Sequence, residues 1–186
     1  MKILIIFFII LLGCQPIEKL EQIVFDNSQL PSFNVLSKNI EINYIYEKKI
    51  TDPYIGYTLA VSPTDRLESW IKENFNSIGN ENIFEINVIE SSLIQNEIPN
   101  KDAKKFNDKT VYKFEIFFLI EFNLFNNSNN LISSTLVESK RSTTSGLYVS
   151  INERERIIDE LIFFGLNDIA NESNKQLKDF MRDFIL

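Results

Sequence analysis

Between residues 111 and 125 every even position is apolar: Tyr112, Phe114, Ile116, Phe118, Ile120, Phe122 and Leu124. The odd positions include Lys113, Glu115, Glu121 and Asn123. A period of two sorts residues onto the two faces of a strand, whereas a helix would scatter the same apolar set around its circumference. Phe117 and Leu119 break the polar side in its middle, so the outer face there is expected to be covered, by another part of the chain or by a partner. Weaker alternation marks three more strands. Residues 39–46 place Ile40, Ile42, Tyr44 and Tyr46 opposite Asn39, Glu41 and Asn43, and 83–94 point Phe84, Ile86 and Val88 inward. Residues 131–140 return antiparallel after an Asn/Ser turn at 126–130, with the small side chains of an edge strand.

Two segments switch to helical spacing. Ser62-Pro63-Thr64-Asp65 supplies a hydroxyl cap, a proline in the first turn and an acid at the positive end of the dipole. Leu67, Trp70, Ile71, Asn74 and Ile78 then follow one face, with Phe75 beside it and Gly79 as the expected stop. Trp70 is expected in the core. Asn152 with Glu155 predicts the start of a second helix, carried by Ile158, Leu161, Ile162 and Ile169, then Leu177, Phe180, Met181 and Phe184. The polar stretch 171–174 is expected to bend or interrupt it, and Gly165 to permit close packing on the sheet, at ~1 kcal/mol against alanine in helix propensity. Residues 54–61 read as extended, 96–109 as a polar loop with Lys101, Lys104, Lys105 and Lys109, and 142–150 as a hydroxyl-rich connection. The order is β-α-β-β-β-α. An α+β fold follows, with a single mainly antiparallel sheet of about four strands and both helices on one face.

The N-terminus adds an address. Met1-Lys2 precedes an unbroken apolar run at 3–12, well short of the ~20 residues a membrane-spanning helix needs but suited to an export signal. The run ends in Leu11-Leu12-Gly13-Cys14, which resembles the lipobox of bacterial lipoproteins. That resemblance implies acylation of the Cys14 thiol and cleavage just before it. Three segments result: 1–13 as signal peptide, 14–38 as lipidated terminus and tether, with Pro16 and Pro31 breaking regular structure, and 39–186 as a periplasmic domain. A multiply acylated terminus would hold permanently, since each buried CH₂ contributes ~0.8 kcal/mol.

Loss of 1–13 removes Lys2 and no acid, leaving the mature chain one unit more negative than the formal −7 of the whole. Such a charge suits neither a general nucleic-acid surface nor an anionic lipid surface. Cys14 is the only cysteine, so no intramolecular disulfide forms and packing must supply the stability. Phe, Ile, Asn and Lys are abundant while Gly, Ala and His are scarce or absent. This bias looks like that of an AT-rich genome, so the sixteen phenylalanines are not read as a ligand signal.

Without histidine the commonest general base and metal ligand is missing. No glycine-rich phosphate loop, nucleophile elbow or zinc spacing occurs. Glu155/Asp159 and Asp179/Asp183 have the spacing of paired carboxylates one turn apart on the last helix; they are read as a solvated helix face, since nothing in the sequence suggests that they are buried. No catalytic residue, metal site or cofactor is therefore expected. Lys140, Arg141, Ser142, Thr143 and Thr144 form the remaining polar cluster. A phosphate or sugar headgroup could sit there, or the charges could simply protect an edge strand.

From about residue 53 the chain carries Ser62-Pro63 with Trp70, then Ser139-Lys140-Arg141-Ser142-Thr143, then Asn152-Glu153-Arg154-Glu155 before a long helix. In these it resembles a family of uncharacterised proteobacterial lipoproteins. In layout alone it resembles the LPS-assembly lipoprotein and the auxiliary lipoproteins of ABC-type lipid transporters, and no residue role transfers. These resemblances imply a non-catalytic accessory or scaffold subunit of an envelope assembly or lipid-transport system. The expected contacts are the membrane through the N-terminal lipid and an envelope protein through Phe117 and Leu119. A lipid or glycolipid, held between helices and sheet or at Lys140, Arg141, Ser142 and Thr143, is the alternative. Gln15 after the lipidated cysteine, where aspartate favours inner-membrane retention, points to the periplasmic face of the outer membrane; the inner membrane is the alternative.

Overall fold

A computed structural model describes residues 23–101, 103 and 109–186. Cys14 and the expected signal segment lie outside the described residues, as do Lys104 and Lys105 of the loop. The chain runs β1 (Phe33–Val35), β2 (Asn39–Tyr44), α1 (Pro63–Asn74), β3 (Phe75–Ser77), β4 (Ile83–Pro99), β5 (Thr110–Phe125), β6 (Leu131–Ser145) and α2 (Ile151–Phe180). The main sheet has the order β2-β4-β5-β6. Its β4-β5-β6 portion is antiparallel, and β2 joins β4 in parallel. Parallel neighbours need a crossover connection, and α1 supplies it. The fold is α+β, as the patterning predicts.

The even side of β5 is the core side. Phe114, Ile116, Phe118, Ile120, Phe122 and Leu124 are all fully buried. Above them α2 packs through Ile158, Leu161, Ile162, Gly165, Leu166, Ile169, Ala170 and Leu177, and α1 through Leu67, Trp70 and Ile71. Trp70 lies in the core. It meets Phe75 edge-on at 5.5 Å, and Phe75 stacks on Phe122 at 5.6 Å. Both helices therefore cover the same face of the sheet. Gly165 sits where a Cβ would come within 2.8 Å of Ile116 Cγ2 and 3.3 Å of Phe118 Cε2, so its missing side chain sets how closely α2 approaches.

On β4 the inward alternation holds through Phe84, Ile86 and Val88, and then a bulge between Val88 and Glu90 inserts an extra residue. Beyond it the phase reverses, so Ser91 and Leu93 point inward. Strict alternation over 83–94 could not anticipate that reversal.

Several expectations are corrected. Residues 33–38 do not serve as tether: Phe33 and Val35 are core residues, and β1 pairs in parallel with β3 in a second, two-stranded sheet. Phe33 stacks on Phe75 at 4.5 Å, which ties that small sheet to the main aromatic core. Residues 184–186 flank the other edge of β1, Leu36 N donating to Phe184 O (2.9 Å) and Leu186 N to Asn34 O (2.9 Å). Helix α1 stops at Asn74, because Phe75 turns extended to join this small sheet, and Ile78 is left exposed. Gly79 is not the helix stop. A Cβ there would lie 2.6 Å from the backbone carbon of Leu36, so glycine is required for the crossing with β1.

Residues 54–61 are not continuously extended. Tyr54 bridges Ile94, and a 3-10 turn at Gly56–Thr58 follows. The second helix begins two residues earlier than expected, capped by Ser150 Oγ accepting from Glu153 N at 3.2 Å. It passes through 171–174 without a break. There the Ser173 hydroxyl donates back to Ile169 O (2.7 Å) and Gln176 reaches Glu172 (2.8 Å), so the polar side chains serve the helix itself. Strand β6 continues through 141–145, well past Lys140.

Candidate interaction surface

The odd positions of β5 form the face that neither helix covers. Across the strands Phe117 lies opposite Ser92 and Lys140, and Leu119 opposite Glu90 and Glu138. Both apolar side chains are half-buried. Of the two origins of cover left open above, the described residues supply no second layer.

Polar groups border this apolar centre on both sides. Toward the start of β5, Glu115 pairs with Lys113 at 3.0 Å and approaches Lys140 at 3.7 Å. In the other direction lies a lattice of amides and carboxylates. Asn87 Nδ2 donates to Glu85 (2.7 Å) and Glu121 (2.9 Å), and Asn123 Nδ2 donates to the same two carboxylates at 3.3 and 3.0 Å. Asn43 extends the row by donating to Asn87 Oδ1 at 3.0 Å. Both carboxylates are thus hydrogen-bonded but carry no Lys or Arg partner among the described residues. The signal for this lattice was present as Asn and Glu on the polar side of each strand; only the register brings them together.

The cluster at 140–143 is divided by the pleat. Lys140 and Ser142 face outward opposite Phe117 and Glu115. Arg141 and Thr143 face the helix side, where Arg141 forms a bidentate pair with Asp168 of α2, its Nη2 at 3.1 Å from Oδ1 and its Nε on Oδ2. That bond holds the guanidinium above its ordinary pKa. Arg141 also lies 5.2 Å over the ring of Phe164. A shared headgroup site across the four residues is not assembled: successive strand residues point to opposite faces, and Asp168 already occupies the cation. Arg141, Ser142 and Thr143 do border a recess of about 250 Å³ with Ile157, Leu161 and Phe164. A larger groove of about 820 Å³ runs along β6, between Leu136, Glu138 and Lys140 and the α2 residues Asp168, Asn171 and Glu172.

Of the carboxylate pairs, Glu155 and Asp159 share one turn of α2, and Glu155 repels the Asp159 carboxylate. Asp159 is engaged by Arg66 of α1 at 2.9 Å. Asp179 is the penultimate residue of α2, whereas Asp183 lies in the 3-10 turn beyond it, so these two do not share a helical turn. Among the described residues no three His, Cys, Asp or Glu side chains gather as a metal site, and no helix is long and apolar enough to cross a membrane.

No protein-family model and no curated protein matches the chain. Among solved structures it is similar to a minor lipoprotein from Acinetobacter baumannii, with 12% identity over 78% of this chain and 93% of that one and a TM-score of 0.44. It is also similar to rare lipoprotein B from Shewanella oneidensis, with 12% identity, 74% and 95% coverage and a TM-score of 0.41. A DUF330 protein from Xanthomonas campestris gives 12% identity, 83% and 96% coverage and a TM-score of 0.37. At these values the likeness is one of general layout.

Proposed function

We propose that this chain is a membrane-anchored periplasmic lipoprotein acting as a non-catalytic accessory or scaffold subunit of an envelope assembly or lipid-transport system. Acyl chains on Cys14 hold it to the membrane, at the periplasmic face of the outer membrane, and the sheet face opposite the helices receives an envelope protein. The observation that carries this reading is the position of Phe117 and Leu119. They sit at the centre of a helix-free face, among Glu90 and Glu138 and beside the Glu85–Glu121 lattice. An apolar anchor with Glu90, Glu138 and the Glu85–Glu121 lattice on one side, and with Lys113 and Lys140 around Glu115 on the other, fits a partner segment that is apolar at its centre and turns basic groups toward the lattice.

The test is site-specific photo-crosslinking in native membranes. A crosslinker at Phe117 should trap one defined envelope protein, whereas the same group at Tyr148, exposed in the connection between β6 and α2, should not. Leu119→Glu should abolish capture while leaving the fold intact. Capture of nothing from position 117, or equal capture from both positions, contradicts the reading.

A further inference from the structure

Strand β6 is the last in the sheet, and among the described residues its second edge pairs with no strand. It is 15 residues long, contains no proline, and follows β5 in regular register from Ser133 to Ser145. Shortness, proline and bulges are common devices that keep a free edge from pairing. None operates over that span. The charge that points to the helix side, Arg141, is neutralised by Asp168. A groove lies between this edge and α2, lined on the strand side by Leu136–Lys140, of which Leu136, Glu138 and Lys140 are exposed while Val137 and Ser139 are buried.

We propose that β6 is a self-pairing edge, at which two copies of this chain join antiparallel across a two-fold axis at Ser139. Glu138 and Lys140 stand on the same outer face on either side of that residue. In an antiparallel pair centred on Ser139, each Glu138 falls opposite the partner copy's Lys140, and each Lys140 opposite its Glu138. Side chains directly opposite in such a pair have Cβ atoms about 5 Å apart. Two cross-strand ion pairs form in this register, and Leu136 meets the partner copy's Ser142. Moving the axis to Glu138 or to Lys140 places like charges face to face, so the charge pattern selects the register as well as the partner. The self-pairing is independent of the anchor and leaves the Phe117–Leu119 face free.

Charge reversal tests it on the full-length chain, purified in mild detergent and measured by analytical ultracentrifugation from nanomolar to high micromolar concentration. The wild type should dimerise. Lys140→Glu and Glu138→Lys each set two like-charge pairs across the axis and should weaken the dimer by about tenfold or more. The double variant Glu138→Lys/Lys140→Glu restores opposite charges and should return the affinity to within about threefold of wild type. Co-expressed Glu138→Cys and Lys140→Cys chains should form a disulfide-linked heterodimer in native membranes, and either chain alone should not. Both positions are exposed, so circular dichroism should report an unchanged fold in every variant. A monomer at all concentrations overturns the proposal. So does a dimer indifferent to single reversals, or one that the double variant fails to restore.

Discussion

Arg66 on α1 and Asp159 on α2 meet at 2.9 Å, and the Arg66 guanidinium lies 3.4 Å from the ring centroid of Phe25. This one cation ties the two helices to each other and to the segment that leads from the N-terminus into the fold. Burial pushes the Asp159 carboxyl above the ordinary carboxylate range and Arg66 below the ordinary guanidinium range, in each case against the attraction of its partner. Desolvation outweighs pairing for Arg66, and for Asp159 burial does so together with repulsion from Glu155.

That balance predicts an asymmetry. Asp159→Ala strands a half-buried guanidinium and should cost about 2 kcal/mol, less than for a fully buried pair because Asp159 keeps about a third of its side-chain exposure. The double replacement Arg66→Met/Asp159→Leu should stay within about 1 kcal/mol of wild type. Urea denaturation of the single and double variants measures both.

The two titrating acids near α1 should act in opposite directions. Asp159 has a raised folded pKa, so its contribution is full below about pH 3.8 and is lost as pH rises through the folded value. Asp65 is held low, first by its hydrogen bond from Ser62, so its contribution is present above about pH 3.8 and is lost as pH falls through the folded value. Asp65→Asn should flatten the acid limb of a stability–pH curve, and Asp159→Asn should remove a decline on its higher-pH side. Ser62→Ala deletes one half of the capping box, whose hydroxyl accepts from Asp65 N at 3.2 Å, and should cost about 1 kcal/mol at neutral pH.

Gly165→Ala should destabilise the protein by about 1–2 kcal/mol, although alanine is the better helix former by ~1 kcal/mol. The new methyl would meet Ile116 Cγ2 at 2.8 Å, and a β-branched side chain in a filled core has little freedom to yield. Thermal denaturation showing a stabilised variant would mean that α2 can lift from the sheet at low cost.

The main sheet was legible in the sequence because its signal is local. Alternation along β5 predicts which side is buried, and Ser62 with Asp65 predicts the start of α1. What escaped depends on contacts between distant segments. Residues 33–35 form a strand only because Phe75 leaves the helix to pair with Phe33, some forty positions away. The Val88/Glu90 bulge reverses the inward phase without a glycine or proline to mark it. On the candidate surface, Phe117 and Leu119 stood out as breaks in a pattern. The division of Lys140 from Arg141 follows from the pleat once the strand is seen to extend beyond position 140. The Arg141–Asp168 pair could not be read from either residue alone, because only the placement of α2 over β6 joins them.

The most direct measurement is intact and peptide mass spectrometry of the native protein recovered from its membrane. The account predicts an N-terminal peptide that begins at Cys14 and carries acyl chains, and Cys14→Ser should release the chain from the membrane fraction. An unmodified protein beginning at Met1 and found in the cytosol would contradict it.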